Sequence, residues 1–315
     1  MAVSRLCNRE FSRRALFRAG AALGLCGAGI NLELRTARAQ ASADPMAPVP
    51  LPAQVAAREA MAELPGARLW FWDTGGTGTP IVLLHPASGS ALIWGYQQPV
   101  FAKAGYRVIA YSRRGYFNSE AGDRASPGIG SEDLQHLVDH LGLGRFHLVA
   151  SAAGGSVASD YAFSHGDRLL SLTVSSNQFG LAEGEISAAG ARIRPRIWDE
   201  MPVEYRELGP SYRAVNPDGF KLWVELERKS GFDTAVRQRL ANRITEAMLG
   251  QLKVPTLVIS GAADLATPPS IARMLAARIP GSELVIAAES GHSVYWETPE
   301  VFNRAVLEFA AKHGG

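Results

Sequence analysis

Cysteine is nearly absent from this chain: Cys7 and Cys26 are the two among 315 residues, and both fall before position 40. Everything beyond them lacks a thiol, which excludes disulfide staples, thiolate nucleophiles and cysteine-held metal from the body of the protein. An excess of charge of one sign is also missing. The formal charge of +2 comes from the start of the chain, where seven of the 32 basic residues and two of the 30 acidic ones lie within residues 1–39, leaving 25 basic against 28 acidic. A body that is near neutral and slightly acidic has no electrostatic attraction for nucleic acid. Membrane-length apolar runs are lacking too, since the stretch Ala19 to Ile30 falls short of the roughly 20 residues needed to span a bilayer. No glycine-rich phosphate loop follows the first strand pattern, the histidines show no metal-ligand spacing, and no internal repeat is present, so neither metal nor cofactor is expected.

What the start of the chain does contain is an address. An arginine-rich beginning is followed by the apolar stretch and then by Ala37-Arg38-Ala39, the small-x-small form cut by signal peptidase. Within it, Ser12-Arg13-Arg14-Ala15-Leu16-Phe17 resembles a twin-arginine export signal, and the apolar stretch is rich in Gly and Ala rather than Leu. The twin-arginine export machinery is therefore the expected partner, and a periplasmic or secreted location the expected destination. An ordinary secretory leader with a chance arginine pair is the alternative. A lipoprotein reading through Cys26 is weakened by the bulky Leu25 before it. Residues 40–63 are Ala- and Pro-containing without periodicity and read as a flexible tether after cleavage, with ordered structure beginning near Leu64.

From there, short apolar runs recur between turn residues: Leu69 to Trp72, Ile81 to Leu84, Val108 to Tyr111, Leu148 to Ala150, Leu170 to Val174, Thr256 to Ile259 and Leu284 to Ala287. Runs this short and apolar on both faces suit strands of a parallel sheet covered on both sides. Helical patterns fill the gaps. Ser131 reads as an N-cap, followed by Leu134, Leu137, Val138 and Leu141 at helical spacing; a second pattern after Pro299 places Phe302, Ala305, Val306 and Phe309 on one side. Alternating strand and helix predicts an α/β fold with a mostly parallel sheet and helices on both faces. Residues 179–250 break the pattern. They are helical in character, rich in Arg and Glu, interrupted by four prolines, and read as a helical cap inserted between core parts 64–178 and 251–315.

Four segments, in this order, carry chemistry. They are Leu83-Leu84-His85-Pro86-Ala87-Ser88-Gly89-Ser90; Tyr111-Ser112-Arg113-Arg114-Gly115-Tyr116-Phe117-Asn118-Ser119; His147-Leu148-Val149-Ala150-Ser151-Ala152-Ala153-Gly154-Gly155; and the pair Asp264, after Gly261-Ala262-Ala263, with His292, between Gly291 and Ser293. Together they resemble the α/β-hydrolase superfamily, its lactonase and esterase-like branch with a helical cap, over residues 64 to 313. The second segment departs at two places from that family's D-x-R-G-x-G-x-S turn. The third departs where it matters most. The family reads G-x-S-x-G at a sharp strand-to-helix turn that requires small flanking residues. Aligning the paired glycines puts Ala150 and Gly154 at the small positions and Ala152 where the family has its serine nucleophile. Ser151 would serve as a hidden nucleophile only if Val149 and Ala153 flanked the turn, which suits a β-branched residue poorly; otherwise it is a polar residue satisfied by nearby backbone.

The resemblance implies that Asp264 accepts the Nδ1 proton of His292 and leaves Nε2 free as a base, with the amides of Ala87 and Ala153 as an oxyanion hole. Ser88, Trp198 and Trp223 are candidate substrate contacts lining an apolar pocket for a small apolar carbonyl compound. Ser90 has the bland role of a turn residue, and His85 that of a structural residue beneath the oxyanion loop. The other histidines lie on helices, a strand start or the tail. Two functions stay open: a His-Asp general base without a covalent step, acting by lactone or ester hydrolysis or by proton abstraction, and a binding protein that no longer turns over. Ala152 as an engineered change in an ordinary serine hydrolase is a third origin of the same sequence; the alanine-rich elbow suits a natural variant. The leader makes its own prediction. Replacing Arg13 and Arg14 with Lys should leave uncleaved precursor in the cytoplasm on fractionation, whereas normal export would assign the leader to the ordinary secretory route.

Overall fold

The computed structural model describes residues 46–314, so the leader and the first residues of the expected tether lie outside the described residues. Eight strands form one sheet: β1 (Arg58–Leu64), β2 (Ala67–Asp73), β3 (Pro80–Leu84), β4 (Arg107–Tyr111), β5 (Phe146–Ser151), β6 (Leu169–Ser175), β7 (Thr256–Gly261) and β8 (Glu283–Ala287). Their order is β1-β2-β4-β3-β5-β6-β7-β8, antiparallel from β1 to β4 and parallel across the rest. All seven apolar runs are strands, and the mostly parallel sheet with helices on both faces is the expected one.

The period-two pleat sorts the strand residues into two cores. In β3, Val82 and Leu84 face one way and Ile81 and Leu83 the other; in β4, Ile109 and Tyr111 oppose Val108 and Ala110. One face is covered by the helices Gly130–His140, Ala153–Ser164 and Pro269–Arg278, through Leu134, Tyr161 and Leu275 among others. The opposite face is covered by Gln98–Lys103 and Pro299–His313, through Phe101, Phe302, Val306 and Phe309. Each such side chain removed from water stabilises the fold by about 1.5–3 kcal/mol.

Two expectations need correction. Residues 58–63 are not a tether, because they form β1 and pair along β2 from Arg58↔Asp73 to Leu64↔Ala67. Ala62 and Leu64 are buried while Glu59 and Glu63 are exposed, an edge-strand alternation hidden by alanine's weak hydrophobic signal. The preceding residues are fastened as well, since Val55 exchanges backbone hydrogen bonds with the Gln98 amide (3.0 and 2.8 Å) and the Tyr96 hydroxyl donates to Val49 O at 2.7 Å. Ser131 is not the N-cap of its helix. Ile129 occupies that position, and the Ser131 hydroxyl instead donates to the buried carboxylate of Asp160 at 2.6 Å, which also accepts from the amides of Ala241 and Asn242.

Residues 179–250 carry helices at Glu185–Ile193, Val203–Glu207, Pro210–Val215, Pro217–Lys229 and Glu246–Leu249. They leave the sheet after β6 and return before β7, over the carboxyl ends of the parallel strands. No described helix is long and apolar enough to cross a membrane.

Gly154, in the first turn of the helix after β5, sets how closely that helix approaches β3: a Cβ there would stand 2.5 Å from Leu84 O and 2.7 Å from His85 O. Backbone cannot give way as a side-chain tip can. Gly154→Ala is therefore expected to lower the free energy of unfolding by about 1–3 kcal/mol, the usual range for overpacking, as read by denaturant titration. Unchanged stability would mean that the helix does not approach β3 this closely.

Candidate functional site

Where β5 meets the helix Ala153–Ser164, the chain turns at Ala152 with φ 46° and ψ −122°. A non-glycine residue in this region is strained by about 1–3 kcal/mol and persists only where its surroundings hold it. They do: Ala152 N donates to Ser175 O at 2.9 Å and Gly155 N donates to Ala152 O at 2.8 Å. Ser151, immediately before, is fully buried, and its Oγ has no hydrogen-bond partner among the described residues. The local backbone satisfaction expected for it is absent, and it does not face the cleft described below.

Asp264 follows β7 and His292 follows β8, at the same end of the sheet as Ala152. Their loops meet because Gly261 has no side chain: a Cβ there would lie 2.0 Å from Gly291 O and 2.2 Å from Ser290 O. His292 Nδ1 lies 2.9 Å from both Asp264 oxygens, and Asp264 Oδ1 also accepts from the amides of Ala266 (2.7 Å) and Thr267 (2.9 Å). The carboxylate must accept, so Nδ1 carries the proton. Nε2 has no hydrogen-bond partner among the described residues. The pair is buried, with His292 8% and Asp264 3% exposed. Burial pulls the His292 pKa down, but the charges of Asp264 and Glu207 and the Asp264 hydrogen bond outweigh it and raise the pKa to about 9. Burial likewise pushes the Asp264 carboxyl up, and His292 with the two amides brings it below its ordinary value.

A second carboxylate fixes the histidine loop. Glu297 Oε2 accepts from Gly291 N (2.9 Å) and from Gly209 N of the segment 179–250 (2.8 Å), and Oε1 accepts from Ser293 N at 3.2 Å. Glu207 O, in the same inserted segment, accepts from His292 N at 2.8 Å and Ser293 N at 3.1 Å. The helical segment and the histidine loop are thus one hydrogen-bonded unit. Burial raises the Glu297 carboxyl to about 7 against the lowering effect of its amides.

Ala152, Ala153 and His292 open onto one cleft of about 590 Å³. The Ala153 amide begins its helix and has no acceptor within it. Ala87 lies in the loop after β3, half-buried, and its amide donates to no acceptor among the described residues. Beneath that loop, His85 Nε2 accepts from Arg113 N at 3.0 Å, so Nδ1 carries the proton and donates to Pro86 O at 2.7 Å. Burial and Arg113 keep this imidazole neutral, with its pKa well below the ordinary value. Ser90 Oγ accepts from Leu92 N at 3.4 Å, a turn role, while Ser88 is buried with Oγ unpartnered among the described residues.

The expected apolar, aromatic pocket is not what the structure forms. Trp198 lines the cleft, but Trp223 is fully buried in the core beneath the helical segment, near Tyr212 and Trp296, and does not reach it. The remaining wall is largely polar, including Ser176, Asn177, Gln178, Thr267, Arg194 and Arg237. Sequence reasoning missed Glu297 and the two arginines, and named Gly261 only as part of the motif before Asp264. Ser293 and Glu297, four residues apart directly after His292, were the available signal for the first; the arginines come from an irregular segment with no periodic signal.

The sequence profile of the alpha/beta hydrolase family matches residues 81–305. Over 271 residues the chain is 31% identical to the dihydrolipoyllysine-residue acetyltransferase component of the acetoin cleaving system of Pseudomonas putida, covering 80% of this chain and 69% of that protein. It is 28% identical over 275 residues to a 2-hydroxy-6-oxononadienedioate/2-hydroxy-6-oxononatrienedioate hydrolase of Burkholderia vietnamiensis, covering 77% and 90%. A thermophilic esterase from Thermogutta terrifontis superposes with a TM-score of 0.66 at 26% identity, over 82% of this chain and all of that one. The chain belongs to the alpha/beta hydrolase family.

The His292–Asp264 contact has a testable pH signature. A histidine whose folded pKa lies near 9, above an unfolded value of about 6.5, contributes stability that is fully present below about pH 6.5 and is lost as pH rises through about 9. The stability deficit of His292→Gln relative to the native protein is expected to shrink from pH 6 to pH 9.5 in denaturant titrations. A deficit that grows over that interval would contradict the assignment.

Proposed function

We propose that this protein is an exported hydrolase-fold enzyme that works without a covalent step, with His292, oriented by Asp264, as general base and Ala152 standing where relatives on this fold carry a serine. The observation that carries the reading is the shared cleft: a strained elbow residue without a hydroxyl, the first amide of the following helix, and the open Nε2 of His292 face the same space. The Ala87 and Ala153 amides supply the oxyanion hole, worth roughly 3 kcal/mol per donor. The substrate is a small carbonyl compound, either a labile lactone or ester attacked by water or an acid whose proton His292 removes. Losing the nucleophile of a serine triad costs about six orders of magnitude and leaves roughly 10³ to 10⁴ over water, so ordinary esters are poor substrates. The leader directs the protein to the periplasm or beyond.

One observation favours the second reading, a non-catalytic binding protein: the carboxylates around His292 hold it protonated at neutral pH. A base in that state is inactive. On the catalytic reading, native turnover of a labile lactone therefore rises with pH toward about 9; a flat profile from pH 6 to 10, or no turnover at pH 9.5, favours binding alone.

Restoring the hydroxyl tests the geometry. Ala152→Ser should gain measurable hydrolysis of 4-nitrophenyl acetate and become reactive to a fluorophosphonate probe, because position 152 and His292 line the same cleft. His292→Ala in that background should remove both, and the native protein should not be labelled. A folded but inert Ala152→Ser protein would put the binding reading first, and labelling of native protein at Ser151 would overturn the assignment of the elbow.

A further inference from the structure

The cleft that holds His292 carries cationic side chains with no counter-charge. Arg194 follows the helix Glu185–Ile193 and Arg237 lies in the irregular segment before Glu246–Leu249; both line the cleft, and neither guanidinium pairs with a carboxylate among the described residues. Unpaired arginines also occur elsewhere on the surface, whereas Arg107 pairs with Asp73 at 2.6 Å and Arg114 with Asp133 at 2.7 Å; what sets Arg194 and Arg237 apart is that both line the cleft of His292. The cleft wall contains no Asp or Glu at all. General basicity of the protein does not explain this, because the chain beyond residue 39 has more acidic residues than basic ones.

Arg194 and Arg237 are both exposed at the cleft wall, and Arg194 rests against an aromatic ring. The Arg194 Cζ lies 5.1 Å from the ring of Trp198, which lines the same cleft and is flanked by Arg206 at 5.7 Å. A guanidinium resting on an indole face keeps its N–H edge free, and a planar donor fork matches a carboxylate better than it matches a neutral group. The uncharged part of the wall, with Ser176, Asn177, Gln178 and Thr267, suits a polar rather than a hydrocarbon ligand.

We infer that the substrate or ligand of this cleft carries a carboxylate, recognised by Arg194 and Arg237 while its carbonyl lies toward Ala152, Ala153 and His292. The inference rests on the cleft being the substrate site, but it does not require that the protein turn anything over. It replaces the apolar substrate expected from the sequence with an acyl compound bearing a second, ionised acid group.

The test uses the native mature protein and a pair of probes in which the second carboxyl is either ionised or capped by a methyl group, monomethyl glutarate and dimethyl glutarate, with inorganic phosphate as a third. In calorimetric titration at low salt, monomethyl glutarate should bind at least tenfold more tightly than the dimethyl ester and more tightly than phosphate, with affinity falling as salt is added. Arg194→Gln and Arg237→Gln should each reduce the preference between the two esters, and the double variant should bring it close to one while its thermal midpoint stays near native. Equal binding of the two esters, phosphate binding as tight as the monoester, or a preference that survives in the folded double variant would overturn the inference. If the preference is found while Ala152→Ser remains inert toward 4-nitrophenyl acetate, the catalytic reading fails and the carboxylate site stands. If Ala152→Ser is active but the native protein does not distinguish the esters, the carboxylate site fails alone.

Discussion

The turn at Ala152 is the constraint on which the site depends. A chain leaving the middle of a parallel sheet and entering a helix within one residue must adopt a backbone conformation that costs free energy, here at φ 46°. It is affordable because the helix lies against β3 at Gly154, where no Cβ intervenes, and because the Ala152 amide is tied to β6. That turn aims one side chain and one helix-terminal amide at the cleft. The residue at the turn is alanine, so what the turn presents is a methyl group and no hydroxyl.

The histidine reaches the same space through a second close approach. Gly261 lets the loop after β7 touch the loop after β8, so that Asp264 meets His292 at 2.9 Å. The histidine loop is then bound to the helical segment through Glu297 and the Glu207 carbonyl. Movement of that segment would displace His292, and the charge on Glu297, with its pKa near neutral, lies at their junction. The inserted helical segment and the loop that carries His292 are mechanically joined.

Much of this was legible from residue order. Apolar runs of three to five residues identified seven strands because strands buried on both faces leave no other signature, and the elbow, Asp264 and His292 were picked out through the resemblance to the alpha/beta hydrolases, with Asp264 and His292 in contact in the structure. The first strand was missed, since Ala60 and Ala62 give alternation without hydrophobic contrast. Ser131 looked like a cap, and its hydroxyl serves Asp160 instead, a partner 29 positions away. Trp223 looked like a pocket residue, yet a tryptophan on an amphipathic helix fits the core as readily as a cleft. The arginines of the cleft belong to segments whose course is set by tertiary packing, which no local pattern encodes.

The central claim is that the elbow and the histidine are assembled as in a working enzyme, with one hydroxyl missing. A crystal structure of Ala152→Ser measures this directly, through the separation between the new Oγ and His292 Nε2. The account predicts a hydrogen bond of about 2.6–3.2 Å with φ at position 152 still positive. A serine turned away from His292, with the two atoms beyond about 3.6 Å, or a relaxed backbone at that position, would contradict it.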